Sequence, residues 1–156
     1  MPKRFWLMKT EPDTFSIRDL KARPGSKEHW DGVRNYQARN HMRDGMNVGD
    51  EALFYHSSVP PVGVAGIATI VKAAYPDPTA LDPDSKYHDP RATPGKNPWV
   101  MVDVKFKKEF PRLVTLEKMR SAPGLENMLV IRKGMRLSIQ PVTAGEFAIV
   151  VELAGV

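Results

Sequence analysis

The chain has 156 residues, of which 42% are hydrophobic and 26% are charged, a composition typical of one soluble globular domain. It has no cysteine, which excludes disulfides and thiolate metal sites. No apolar run approaches the ~18 residues of a membrane span, and Lys9 and Glu11 interrupt the N-terminal apolar stretch before it could serve as a signal peptide. We therefore expect a single domain over residues 1–156, located in the cytoplasm, or in the nucleus of a eukaryote.

The first part of the chain is predicted to contain one strand and two short helices. Residues 4–9 form an apolar run with aromatics, which indicates a buried strand. Ser16 has the spacing of a helix N-cap, and Pro24-Gly25 ends that helix after about two turns. A second helix is predicted to begin after Asn35 as its cap and to run through Met42.

Two neighbouring strands are predicted in the middle of the chain, at residues 51–56 and 62–73, where β-branched and aromatic side chains recur. Gly63 and Gly66 lie inside the second strand, which predicts a bulge, a barrel corner or the close approach of another group. Residues 75–98 are too rich in proline and aspartate to pack as core, so they are predicted to form a loop.

The last part is predicted to contain a half-buried strand at 99–106, a short helix at 113–120 and a strand at 135–140. Thr143 and Glu146 make a capping box for a C-terminal helix through Leu153. The order of elements is mixed and lacks regular βαβ alternation. It predicts an α+β fold, a small, partly closed mixed β-barrel of about five to six strands with inserted short helices.

The most informative segment is residues 30–40, WDGVRNYQARN, which places two aromatic rings among two arginines and three amides. A nucleobase needs a flat π surface and polar groups at its edge, and its phosphate needs arginine. Trp6 lies in an apolar strand and is expected in the core, whereas Trp99 could line the core or a pocket rim. Trp30 has no apolar periodicity around it, so we expect it to be exposed or to line a cavity. The alternative is a structural tryptophan in a loop before an amphipathic helix.

Two further groups of polar side chains follow predicted strands. Lys9, Thr10 and Glu11 come where the first strand ends; they could contact a phosphate and a base edge, or they could form a plain surface turn. His56 beside Ser57 suggests a hydrolase, but the chain has no Gly-x-Ser-x-Gly elbow, so hydroxyls that contact a base are the preferred interpretation. The four histidines are scattered, and we expect neither a metal site nor a catalytic residue.

Positive charge is concentrated in two segments. Residues 16–43 hold seven basic and three acidic side chains, and residues 105–136 hold nine and three. If these segments fold side by side, they form a basic surface that attracts phosphates; otherwise each is a solvated face.

Four blocks in the right order closely resemble the EVE domain family: FWLMKTEP at 5–12, WDGVRNYQARN at 30–40, FYHS at 54–57 and RLSIQPV at 136–142. The resemblance spans essentially the whole chain. It implies a PUA-like fold related to the YTH and ASCH domains, and a pocket that recognises a modified base in DNA or RNA. Trp30 is implied as an aromatic wall of that pocket. The other implied lining residues are Lys9, Thr10, Glu11, Val33, Asn35, Tyr55, His56 and Ser57.

The hypothesis is therefore a non-enzymatic module that lays a flipped-out modified base against Trp30. Arg34, Arg39 and Arg136, with the basic segments, are expected to hold the flanking phosphates. No cofactor, metal or membrane is expected, and a monomer is the simplest state.

Two alternatives stay open: an enzyme acting on nucleotides or modified bases with Glu11 or His56 as general acid or base, and a small-molecule or peptide receptor on the same barrel. The sequence does not distinguish DNA from RNA, because that depends on contacts with the 2′-hydroxyl.

Overall fold

One six-stranded sheet forms the centre of the computed structural model, which describes residues 3–156. Its strands are β1 (Phe5–Thr10), β2 (Lys27–Trp30), β3 (Glu51–His56), β4 (Gly63–Pro76), β5 (Val100–Thr115) and β6 (Ile139–Val142). Their order in the sheet is β2-β5-β4-β3-β1-β6. β1 and β3 pair in parallel, and the other neighbouring strands pair antiparallel. The predicted α+β class and mixed six-stranded architecture are thus confirmed.

Short helices connect the strands. They are α1 (Ile17–Ala22), α2 (Tyr36–Asn40), α3 (Leu116–Arg120) and α4 (Ala144–Ala154). Ser16 and Thr143 form the predicted capping boxes, and Asn35 caps α2 by accepting a hydrogen bond from the backbone N–H of Ala38. A π turn over 41–45 continues α2. Over residues 3–156, no helix is long and apolar enough to span a bilayer.

The sheet buries apolar side chains on both faces, because successive residues of a strand point to opposite sides. In β1, Trp6 and Met8 belong to a core that also contains residues of α1 and α2; we call it the first core. Leu7 belongs to a second core that contains residues of α3 and α4. The ends of the central strands therefore lie between two packed layers, which gives the loops around them rigid support.

Three strand boundaries differ from the sequence prediction. β2 was not expected, because Lys27-Glu28-His29 shows no apolar signal; it forms by pairing with β5, which places Trp30 opposite Val102. β5 continues to Thr115 because it pairs with β4 along its length. β6 begins at Ile139 and contains Pro141, which an edge strand tolerates because one side of it makes no ladder hydrogen bonds.

The predicted role of the two glycines in β4 is confirmed. A Cβ at Gly63 would lie 2.2 Å from the carbonyl oxygen of Val114, and one at Gly66 would lie 2.2 Å from that of Lys108. The pairing of β4 with β5 also shifts register between Val64 and Gly66. Glycine at these positions lets β5 cross close to β4 where the sheet bends.

Candidate functional site

A cavity of about 850 Å³ opens at the ends of β1, β2 and β3. The parallel pairing of β1 with β3 brings the residues that follow both strands together, since the N–H of Ser57 donates to the carbonyl of Thr10 at 2.8 Å. On the other side of β1, the N–H of Lys9 donates to the carbonyl of Ser138 at 2.8 Å, which adds the segment before β6 to the wall. We call this space the main cavity.

Trp30, the last residue of β2, lines the main cavity from a largely buried position. Its side chain is only 8% exposed and belongs to the first core. The indole packs edge-to-face on Phe54 at 5.6 Å and on Phe15 at 6.4 Å between ring centroids. Trp30 is therefore not the freely exposed ring that the sequence allowed. It is a rigid wall residue, with its orientation set by two other aromatic rings.

The indole N–H groups of the three tryptophans differ in their hydrogen-bond partners. The indole nitrogens of Trp6 and Trp99 donate to Asp50 at 3.0 Å and to Asp89 at 2.8 Å. Trp30 makes no such bond within the described range 3–156, and that range contains no fully buried side-chain nitrogen or oxygen without a partner. The N–H of Trp30 is therefore not fully buried.

Asp31 places a carboxyl group beside this indole, and sequence reasoning missed it as a site residue. Its side chain is 30% exposed, with His29 Nε2 3.5 Å from its Oδ2. Burial and the nearby negative charge of Asp77 raise the pKa of Asp31, and His29 opposes this shift. A carboxyl with a raised pKa that faces a cavity is a common feature of binding and catalytic sites.

Another part of the wall comes from Tyr87, in the loop between β4 and β5. Gly32 has φ of +77°, and a Cβ there would lie 2.6 Å from the nearest carbon of the Tyr87 ring. The ring thus rests directly on the glycine backbone, and no other residue type provides this space. No local signal in the sequence marks Tyr87, because it lies in a stretch that is otherwise polar loop.

A fully buried carboxylate, Asp77, anchors this wall. It accepts hydrogen bonds from the backbone N–H of Gly32 at 2.9 Å, from Arg34 Nη1 at 3.0 Å and from the N–H of Thr79 at 2.8 Å. Burial alone would raise the pKa of Asp77, but its bonds with Thr79, Gly32 and Arg34 outweigh that effect and keep the pKa below the ordinary value. Asp77 is therefore charged and holds the loop after β2 against the loop after β4.

Arg34 is the charged partner of Asp77. Besides that ion pair, its Nη1 donates to the Val33 carbonyl at 2.9 Å, its Nε to the Tyr87 carbonyl at 2.9 Å and its Nη2 to the Thr79 hydroxyl at 3.0 Å. Its side chain is only 22% exposed. Protein acceptors thus use most of the five guanidinium donors, so the geometry favours a positioning role over the phosphate contact that the sequence suggested.

The predicted site residues divide into two sets. The main cavity is lined by Lys9, Thr10, Glu11, Trp30, Val33, Arg34, Ser57 and Arg136. Four others lie away from its wall. Asn35 is used as the cap of α2, Tyr55 points into the second core, His56 accepts the N–H of Ile17 at its Nε2, and Arg39 donates to the carbonyl of Pro98. Asn35, Tyr55 and His56 therefore do not line the main cavity as expected, because strand alternation and their hydrogen bonds direct them elsewhere. The phosphate contact expected of Arg39 stays a prediction, since it does not require this residue to line the cavity.

Positive charge prevails around the main cavity. Five basic residues line it: Lys9, Arg23, Arg34, Lys86 and Arg136. Three acidic residues do so: Glu11, Glu28 and Asp31. Lys86 and Arg136 are exposed, whereas Lys9 is half-buried, donates to the Met135 carbonyl at 3.0 Å and has a pKa lowered by burial. The two basic segments do adjoin, with Lys27 opposite Lys105 in the sheet.

Comparison with known proteins decides the family. The family model described as "EVE domain" matches residues 4–153. The chain belongs to the EVE domain family. This EVE domain is 44% identical over 165 residues to Thymocyte nuclear protein 1 of Homo sapiens, in an alignment that covers 95% of the chain and 72% of that relative.

Two solved structures are close neighbours of this EVE domain. A protein of Pseudomonas syringae is 55% identical with a TM-score of 0.91, covering 96% of this chain and 99% of that one. The human THYN1 protein in complex with 5-methylcytosine-containing DNA is 42% identical with a TM-score of 0.91, covering 97% and 98%. These matches bear out the resemblance and the PUA-like fold that the four sequence blocks implied.

Proposed function

We propose that this EVE domain is a DNA-binding reader that holds one flipped-out, modified base in the main cavity without reacting with it. The observation that carries the proposal is a cavity lined by the indole of Trp30 and by the carboxyl group of Asp31. The human relative solved with 5-methylcytosine-containing DNA supports DNA as the partner and a 5-substituted cytosine as the base. The proposed function requires only a monomer that is present in the same cell compartment as the DNA.

The energetics are consistent with a reader. Extruding a base from a duplex costs a few kcal/mol, and aromatic stacking returns about 1–3 kcal/mol per base. The main cavity, at about 850 Å³, has room for one nucleoside. Because stacking and flipping roughly offset each other, net affinity depends on phosphate contacts, and preference among bases depends on the polar groups beside Trp30.

The edge of a cytosine fits the groups at this end of the cavity. Its exocyclic amine donates, and a carboxylate such as that of Asp31 accepts from this amine. The indole face of Trp30 supplies the stacking surface and apolar contact for a methyl group. An added methyl changes binding by only ~1–3 kcal/mol, so the preference for the modified base is expected to be moderate.

Affinity for the modified DNA is expected to fall as the pH is lowered through the raised pKa of Asp31. At low pH the Asp31 carboxyl of the free protein is protonated. Only the charged carboxylate accepts the hydrogen bond from the cytosine amine in the proposed complex. The loss starts at a higher pH than an ordinary aspartate would give. Titrations of labelled DNA over a pH series measure it, with Asp31→Asn as the control that should flatten the profile. A profile that is identical in both proteins would remove Asp31 from the base edge.

Arg136→Ala is expected to weaken binding to modified and unmodified DNA equally. Arg136 is exposed at the rim of the main cavity, where a phosphate can reach it. Losing one phosphate contact reduces the slope of log affinity against log salt by about 0.9. The matched control is Lys118→Ala, an exposed residue on α3. Equal slopes for Arg136→Ala and wild type would show that this side chain meets no phosphate.

The two alternatives find less support in the site. The enzyme hypothesis relied on Glu11 or His56, but His56 Nε2 already accepts the N–H of Ile17 at 3.1 Å and Glu11 accepts the Ser58 hydroxyl at 3.2 Å. A receptor for a free small molecule does not require a basic rim. A steep dependence of affinity on ionic strength separates a DNA reader from such a receptor.

The proposal is tested by titrating the protein with oligonucleotides that contain cytosine or 5-methylcytosine, as DNA and as RNA, at one salt concentration. We expect tighter binding to the methylated DNA and, by mass analysis, an unchanged ligand. Equal affinity for methylated and plain DNA, or conversion of the base, would overturn the proposal.

A further inference from the structure

A second, smaller cavity of about 440 Å³ lies beside the first residue of α2. Its polar and aromatic lining residues are Tyr36, Asp89, Arg91, Lys96 and Asn97. None of them was part of the predicted base pocket. We call this space the side cavity.

A series of stacked planar groups connects the two cavities. The Arg34 guanidinium lies 5.8 Å from the centroid of the Tyr87 ring, in the wall of the main cavity, and 5.4 Å from the centroid of Trp99. Trp99 in turn packs on Tyr36 at 4.7 Å between ring centroids. The walls of the two cavities are thus parts of one rigid unit.

Tyr36 is the feature of the side cavity that needs an explanation. Among residues 3–156 it is the only exposed large aromatic side chain, with 52% of its area accessible. Its position is fixed from below by Trp99 and from its own helix by Arg39, whose guanidinium carbon lies 4.9 Å from the ring centroid. An aromatic ring held rigidly at the surface has little conformational freedom to lose on binding, which suits a contact for a planar ligand.

The side cavity is lined by two basic side chains and one carboxylate, so its net charge is positive. Arg91 and Lys96 are both exposed. Asp89 is the acidic residue of the lining, and it already accepts hydrogen bonds from Trp99 Nε1 at 2.8 Å and from the backbone N–H of Arg91 at 3.0 Å. Arg91 Nε also lies 3.6 Å from Asp89 Oδ1, so this carboxylate partly neutralises Arg91, and a phosphate next to Tyr36 would meet an excess of one positive charge.

We propose that the side cavity binds a nucleotide that flanks the flipped base on the same strand. Tyr36 packs against the base of that nucleotide, and Arg91 and Lys96 contact its phosphate. This inference rests on the proposed DNA-binding function and adds a second contact point, which would make binding sensitive to the neighbouring position.

The spacing of the two cavities supports this assignment. Arg34 and Tyr36 are two residues apart, as are Tyr87 and Asp89, and the first member of each pair lines the main cavity while the second lines the side cavity. Two residues span at most ~7 Å. The two cavities are therefore adjacent, and a nucleotide next to the flipped base on the same strand can reach the side cavity.

The experiment uses DNA with one 5-methylcytosine and an abasic residue placed in turn at each of the two nearest positions on either side. An abasic residue removes a base but keeps the phosphate. For the wild type, one position is expected to lower the affinity about five-fold or more, because base–aromatic stacking is lost there. Tyr36→Ala should bind intact DNA that much more weakly and should show no further loss at that position, whereas Tyr36→Phe should behave as wild type.

A second measurement concerns the phosphate. Combined Arg91→Ala and Lys96→Ala should reduce the salt slope, and Lys118→Ala again serves as the charge control. The inference is overturned if no abasic position matters in the wild type, or if Tyr36→Ala remains as sensitive to that position as the wild type. In either case the preference for methylated DNA still reports on the main cavity, so the two proposals fail separately. If the wild type shows no preference for methylated over plain DNA, the proposed function itself is wrong.

Discussion

Trp30→Ala is expected to abolish the preference for methylated over plain DNA and to lower affinity for the methylated ligand about 5- to 150-fold, the loss of ~1–3 kcal/mol of stacking. The preference is lost because the indole face that contacts the base and its methyl group is removed. Affinity that remains should come from phosphates and should not depend on the base. Competition titrations with methylated and plain oligonucleotides measure both quantities.

This variant needs a control for folding, because Trp30 is also a core residue. Removing an indole that packs on Phe15 and Phe54 is expected to cost about 3–5 kcal/mol of unfolding free energy. Trp30→Phe keeps a smaller ring in the core, so it should fold better than Trp30→Ala and recover part of the affinity and of the preference. Equal losses for both ligands in a correctly folded Trp30 variant would refute the assignment of the pocket.

The sequence was most informative where function and local structure depend on neighbouring residues. Caps at Ser16, Asn35 and Thr143 are local hydrogen bonds between residues three apart, so their patterns could be recognised directly. The segment 30–40 identified Trp30 for the same reason, since its unusual mixture of side chains is contiguous. The presence of a polar cavity at the end of β1 could also be expected from Lys9 to Glu11.

Contacts between residues that are far apart along the chain could not be predicted from the sequence. Tyr87 reaches the main cavity because it packs on Gly32, which is far away in sequence, and no periodicity marks that contact. β2 is a strand because β5 pairs with it, although its own residues are polar. Tertiary pairing decided these features, and single-sequence propensity does not record such pairing.

The roles of individual arginines illustrate the same limit. Arg34 and Arg136 look alike in sequence, as cations near the functional blocks. Only the fold shows that Arg34 meets the buried Asp77, 43 residues away, while Arg136 remains exposed at the rim. Charge in a sequence therefore predicts attraction to phosphate in general. Whether an arginine forms a structural ion pair or contacts a phosphate depends on which residues the fold places around its guanidinium.

Arg34→Ala is expected to destabilise the protein by about 3–5 kcal/mol, because it leaves the fully buried carboxylate of Asp77 without its cation. The loops after β2 and β4 should separate, and the wall that Tyr87 provides should loosen, so base preference falls along with stability. Arg34→Lys should rescue little, since one ammonium cannot reach the acceptors that the planar guanidinium binds in three directions. Urea unfolding, followed by titration at protein concentrations corrected for the folded fraction, measures both effects.

A phosphate-binding role for Arg34 predicts the opposite pattern. In that case stability would stay near that of the wild type, and the salt slope would fall by about 0.9 with base preference intact. Arg136→Ala provides the internal reference, because it is expected to show this second pattern and to leave unfolding unchanged. If Arg34→Ala behaved like Arg136→Ala in both measurements, the anchor role inferred from Asp77 and Thr79 would be wrong, and the original assignment of Arg34 to the phosphates would be restored.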